Sequence, residues 1–215
     1  MKDRIIIAVA ILVCTLLVHG PGVAFADGHK PLKDASFEQQ LAADDGGWAM
    51  FENSSFSTGQ ARTGEQSMFN GAFSRTIAYP PYFVGSVSGS FQEFAATPGS
   101  RWRLSGYGLA ANALKGTPAF GVVQITFFNA DGVDLGTVET VDASANAKTS
   151  NEVNNQSPAG EWIALDTGVA TAPDGTASVQ AFTLYVDFSG SNTAQGVYFD
   201  DLTLCALDDN EDDCK

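Results

Sequence analysis

The chain has 215 residues, 44% of them hydrophobic, with 11 Lys plus Arg against 25 Asp plus Glu and a formal charge of −14. Such an acidic surface repels phosphate backbones, which argues against nucleic acid as a partner. Of the two histidines, His19 directly follows an N-terminal apolar run and His29 lies near the expected mature N-terminus, so a histidine-dependent nucleophile lacks a well-placed base.

That N-terminal run sets the first boundary. Lys2 and Arg4 precede an apolar stretch from Ile5 to Val18, and Ala24-Phe25-Ala26 has the small-x-small cleavage pattern. Residues 1–26 are therefore expected to be a signal peptide cut after Ala26, giving a secreted or periplasmic protein. The stretch is short for a membrane span and no later one approaches the required length. Cleavage leaves 189 residues, enough for one domain, and removes Lys2, Arg4 and Asp3. What remains is 9 basic against 24 acidic residues, a charge of −15. Excess carboxylates in an exported chain fit solubility and divalent-cation binding. Cys14 leaves with the signal. Cys205 and Cys214 are expected to pair in an oxidising compartment, tying the acidic tail 205–215 to the last strand.

Taken in order, residues 27–34 form a leader, and Ala35–Gln39 is a candidate first strand. A loop over Ala42–Gly47 leads to Trp48-Ala49-Met50-Phe51. Short strands are expected around Phe56 and over Gln66–Gly71. Tyr79-Pro80-Pro81-Tyr82-Phe83 gathers aromatics around two prolines that a central strand cannot hold. Ser86–Ala95 alternates, Thr97-Pro98-Gly99-Ser100 is a turn, and Arg101–Ala110 puts Trp102 and Leu104 on one face. Ala119–Phe128 is a long strand closed by a hairpin signal at Asn129-Ala130-Asp131-Gly132, with Val133–Val141 as the return. Asp142–Gly160 is expected to be a surface loop. Trp162–Val169 is a strand, Ala172-Pro173-Asp174-Gly175 a turn, and Ala181–Phe188 has the clearest two-residue period.

The last strand, Gly196–Leu204, poses the chemical question. Alternation places Tyr198, Asp200, Leu202 and Leu204 on one face, and the two leucines mark it as the core side. A carboxylate in that row must be paired, hydrogen-bonded or metal-bound. A divalent cation is one solution. Backbone N–H donors or an arginine are the other.

With no helical period outside the signal, eight to ten antiparallel strands separated by Gly and Pro turns predict an all-β jelly-roll β-sandwich. Several landmarks appear in a set order: Ser36-Phe37-Glu38, Gly47-Trp48, Thr97-Pro98-Gly99 leading into Trp102-Arg103-Leu104-Ser105, then Trp162, Ala172-Pro173 with Gly175, and Val197–Leu202. In this order the chain resembles the galactose-binding-like jelly rolls typified by carbohydrate-binding modules of families four, nine and twenty-two, over residues 35–204. The resemblance implies a structural calcium held by Glu38 and Asp200, with Asp201 as substitute and carbonyls near Gly64–Ser67 completing the oxygen shell.

The resemblance also implies binding of polysaccharide or a surface glycan, by ring stacking on exposed aromatics. Trp48, Tyr79, Tyr82 and Phe83 are the candidate platform, and Gln92, Gln124, Arg75 and Arg103 are possible hydroxyl partners. Trp102 and Trp162 match framework positions and are expected in the core. Two other functions stay open. One is a structural or adhesive β-sandwich without a sugar site. The other is a polysaccharide hydrolase or lyase, for which Glu93, Glu139 and Asp187 are candidate acids. Asp208–Asp213 is expected to be a solvated acidic tail.

Overall fold

The computed structural model describes residues 31–72, 77–79, 83–112, 114, 118–135, 147–187, 195–208 and 214; for 77–79, 83–85 and 147–149 it describes the backbone. The predicted signal, Tyr82, Arg75, Glu139 and most of the acidic tail lie outside these residues, as do the side chains of Tyr79 and Phe83.

Among the described residues eleven strands follow one another: β1 (Ala49–Phe51), β2 (Ser54–Ser57), β3 (Ser67–Gly71), β4 (Ile77–Tyr79), β5 (Phe83–Ala95) and β6 (Arg101–Ala110). Then come β7 (Phe120–Phe128), β8 (Ala147–Thr149), β9 (Ile163–Thr171), β10 (Ser178–Asp187) and β11 (Gly196–Leu207). One six-stranded sheet has the order β1-β5-β10-β7-β8, with β4 on β5; the other has the order β2-β3-β11-β6-β9. Every named pairing is antiparallel. The fold is the expected all-β jelly-roll sandwich. The core lies between the sheets, where Val123, Ile125 and Phe127 of one meet Met68, Trp102, Leu104 and Phe199 of the other.

β6 keeps the predicted alternation, with Trp102 and Leu104 buried and Arg101, Arg103 and Ser105 turned outwards. Both predicted turns close as expected, Ser100 N donating to Thr97 O and Thr176 N to Pro173 O. The Asn129–Gly132 turn also forms, and Asp134 of the expected return bridges Phe128, while residues 136–141 of that return lie outside the described residues.

Four expectations need correction. Ala35–Gln39 is a run of turns, because the Asp34 carboxylate accepts from Gln39 N and Leu41 N and curls the chain. That side-chain competition with strand pairing is typical of Asp. The 142–160 segment is not wholly a surface loop: residues 147–149 pair with β7, and Val153 is buried in the core. Val153 fits there because it faces Gly108, which has no side chain to block it. Trp162 is half-buried just before β9 instead of lying in the core.

The fourth correction concerns β11, whose alternation slips. Val197 and Phe199 face the core, and so do Leu202 and Leu204. The register against β6 shifts between Asp200 and Thr203, where Asp201 has φ 50°. A β-bulge inserts one residue and inverts the face of everything after it. The predicted Cys205–Cys214 disulfide closes the end of this strand, with Cα atoms 5.7 Å apart. Cys214→Ser is expected to cost about 2–3 kcal/mol, the chain entropy of a loop of this size, read as a lower urea midpoint.

Candidate functional site

The bulge on β11 is where the two ends of the described chain meet. Leu202 N donates to Ala35 O at 2.9 Å, joining the N-terminal turns to the last strand. Asp200 is 0% exposed. Its Oδ2 accepts from Arg62 N (2.7 Å) and Thr63 N (3.2 Å), and its Oδ1 from Asp201 N (2.7 Å). Asp201 points outwards and accepts from Ser36 Oγ, Thr63 Oγ1 and the Arg62 guanidinium. That guanidinium also lies 3.5 Å from the Tyr107 ring centroid, a cation–π contact.

Glu38 grips the same loop three residues further on. Its carboxylate accepts from Glu65 N at 3.1 Å and Gln66 N at 3.0 Å. Between these grips sits Gly64, with φ +63°, and a Cβ there would lie 2.3 Å from Glu38 Oε1. Glycine is required on both counts. The predicted pair Glu38 and Asp200 is thus brought onto one short loop, residues 62–66, which joins opening and closing segments. Sequence reasoning found both acids but missed Arg62 and Thr63, which carry no motif.

The two aspartates titrate in opposite directions. Burial raises Asp200 above the usual carboxylate range, ahead of the lowering by its three N–H donors. Burial also pushes Asp201 up, but bonds from Thr63, Arg62 and Ser36 outweigh it and leave the group lowered. A lowered acid stabilises the fold above its unfolded pKa, and that stability is lost as pH falls through the folded value. Arg62→Ala is therefore expected to lower Tm at neutral pH by an amount that shrinks as pH drops below the usual Asp range. Thermal melts of both proteins across acid pH would check this. The pair is partly exposed, so the neutral-pH loss is about 0.5–1 kcal/mol.

Calcium requires six to eight oxygens. Among the described residues no group of three or more acids stands together for a metal. The two acids of the expected pair supply oxygen atoms of the kind a hard cation takes. Their bonded partners are N–H donors: Asp200 Oδ2 and Glu38 Oε1 each accept two, which fills their lone pairs, so a cation would have Asp200 Oδ1 and Glu38 Oε2 left to it. The other ligands would be main-chain carbonyls.

The aromatic candidates part company. Trp48 is 1% exposed, its ring 5.1 Å from that of Phe37 and its indole N–H donating to Asp34 O. It is a core residue and offers no platform. Tyr79 ends β4 and Phe83 opens β5, opposite one another in register. Gln92 is also spent: it exchanges hydrogen bonds with Lys33 N and O. Arg103 forks onto Asp166, an ion pair that holds Asp166 below its usual range. Glu93 and Asp187 do not form a catalytic pair. Glu93 neighbours Gln180 while Asp187 neighbours Ser86, seven residues along β10 and on opposite faces. That is about 23 Å, where glycoside cleavage needs 5–10 Å.

β10 is buried along both faces. Its inner side joins the main core, while its outer side forms a second cluster with Val87, Phe91, Val122, Phe182, Leu184 and Val186. Phe91 and Phe182 have ring centroids 5.3 Å apart. Half-buried Phe51, Phe120 and Phe128 border them, and the next cross-strand row is Glu93, Gln180 and Thr126. Gln180 donates to Glu93 and Gln124 to Thr126. The two-residue period of β10 hid this face, because its apolar residues were sufficient for a single core.

No family model matches the chain, and no curated protein matches it. Solved structures do. A family 61 carbohydrate-binding module, TmCBM61, in complex with β-1,4-galactotriose, is 12% identical over 83% of this chain and 99% of its own, with TM-score 0.49. The CBM22-1 xylan-binding domain of Paenibacillus barcinonensis Xyn10C is 16% identical over 75% of this chain and 86% of its own, TM-score 0.43. The enzymatically active domain of Bacteriophage CBA120 tailspike protein 4 is 10% identical over 83% of this chain and 21% of its own, TM-score 0.46. These are similarities of fold. Among the described residues no helix is long and apolar enough to cross a membrane.

Proposed function

We propose that the chain is an exported, non-catalytic binding module for neutral polysaccharide, with a structural calcium on Glu38 and Asp200. The observation that carries the binding reading is the outer face of the six-stranded sheet. There half-buried Phe51, Phe120 and Phe128 edge the buried Phe91–Phe182 pair and make an apolar floor bordered by half-buried Gln124 and exposed Glu93. Pyranose rings present apolar C–H faces and hydroxyl rims, and such a floor with an amide and a carboxylate at its edge complements both. The acidic charge of the chain favours neutral over anionic polymers.

Affinity-gel retardation on xylan, galactan, mannan and hydroxyethylcellulose tests the reading. Retardation by at least one polymer is expected, weakened about 5- to 10-fold in Gln124→Ala, the effect of one lost polar contact. Mobility unchanged on every gel would favour a structural or adhesive protein without a sugar site. One observation supports that second reading: among the described residues the exposed large hydrophobics are Met50 and Val133, neither of them aromatic.

Calcium has its own test. At a hundredfold excess over Kd a bound ion adds about 2.7 kcal/mol, or about 5–10 °C in Tm for a domain of this size. EDTA is expected to remove that increment from the wild type but not from Glu38→Gln. An unchanged wild-type Tm would leave the hydrogen bonds as the whole clasp.

A further inference from the structure

The outer face of the five-stranded sheet carries a feature that neither the core nor the clasp requires. On β3, Met68 and Asn70 are buried inwards, so Phe69 between them faces out. It stands opposite Ser55 of β2 and Tyr198 of β11, and Tyr198 in turn faces Leu109 of β6. The Phe69 ring leans across the sheet instead of standing up from it. A Cβ on Gly71 would lie 2.6 Å from its Cε1 and Cζ, and a Cβ on Gly196 would lie 2.5 Å from its Cε2 and Cζ. Gly71 and Gly196 are a cross-strand pair. Together they make a bare patch of main chain on which the ring lies, one face down and the other turned outwards. Tyr198 stacks beside it, centroids 5.0 Å apart and planes at 50°, and its hydroxyl reaches the loop at Gly59.

We infer that this ring pair is a second glycan-binding surface, on the opposite side of the sandwich from the face proposed above, so that one molecule bridges two neutral polysaccharide chains. The inference rests on the polysaccharide reading. A laid-down aromatic presents a flat apolar surface to a pyranose ring, while the exposed Ser55 and Asn53 beside it and the Tyr198 hydroxyl offer hydroxyl partners. Exposed Ser55 and half-buried Phe69 and Tyr198 carry no charge, which suits a neutral polymer better than an acidic or basic peptide.

Bridging is read by mixing the wild-type protein with soluble xylan and with hydroxyethylcellulose and following turbidity and co-sedimentation, beside retardation on the same gels. The double substitution Phe69→Ala, Tyr198→Ala is expected to reduce bridging at least tenfold while retardation persists through the six-stranded face. Ser55→Glu, an exposed change that leaves the core alone, is expected to weaken bridging in the same direction. Unchanged bridging in both variants overturns the inference and leaves the first face standing. Retardation without any bridging by the wild type also overturns it, and absence of retardation by the wild type overturns both readings. Self-association of the wild type without glycan, lost in the double variant, would assign the surface to a second copy of the chain and overturn it too.

Discussion

Asp200→Ala is expected to cost about 3–5 kcal/mol and to lower Tm by about 10 °C or more. Three backbone donors, from Arg62, Thr63 and Asp201, converge on this carboxylate. Each donor left without an acceptor forfeits its bond and, to the extent that water cannot reach it, costs about 1–3 kcal/mol. The substitution also frees the 62–66 loop, which Glu38 alone would then hold from the other side. Urea and thermal unfolding measure the loss. Asp200→Asn separates charge from shape: it keeps one acceptor oxygen and discards the group whose pKa burial raises. A raised acid contributes stability below its unfolded pKa, and that contribution disappears as pH rises through the folded value. Asp200→Asn should therefore lose least against the wild type above that range and most in acid. A loss in Asp200→Ala below about 1 kcal/mol would mean that the loop is held elsewhere.

The same residue shows what the sequence reveals and what it conceals. That Asp200 needs a partner follows from a carboxylate in a row of hydrophobic residues, and the fold bears out the need. Its neighbours were assigned through strict alternation, and the bulge at Asp201 breaks alternation without altering composition. A residue with φ 50° that is not glycine leaves no mark in a pattern of polar and apolar letters. Long strands such as β6 were legible because one face is buried and the other wet. β10 was misleading for the opposite reason. It is buried on both faces, so its alternating residues describe two packed surfaces, and the period alone assigns neither of them. Phe69 was invisible as a site because its meaning lies in Gly71 and Gly196, the second of them 127 positions away in sequence and adjacent only through the β3–β11 register.

Trp48→Ala should be the costliest single truncation of an aromatic that the sequence marked as a sugar platform. Its effect decides between two readings of the same ring. As a stacking surface, Trp48 would be dispensable for folding, and its loss would weaken retardation by polysaccharide without moving Tm. As the structure has it, the ring is buried against Phe37, and Phe37 in turn meets Phe56 across 6.4 Å. Its N–H also fastens the Asp34 carbonyl, next to the carboxylate that organises the turns before Glu38. Removing a buried tryptophan costs about 3–5 kcal/mol through lost transfer and the cavity left behind. Trp48→Phe recovers part of the packing but not the hydrogen bond. The expected result is a Tm lowered by about 10 °C or more in Trp48→Ala, a smaller fall in Trp48→Phe, and polysaccharide retardation per folded molecule unchanged in both. Loss of retardation at unchanged Tm would return Trp48 to the glycan surface and require the N-terminal turns to open.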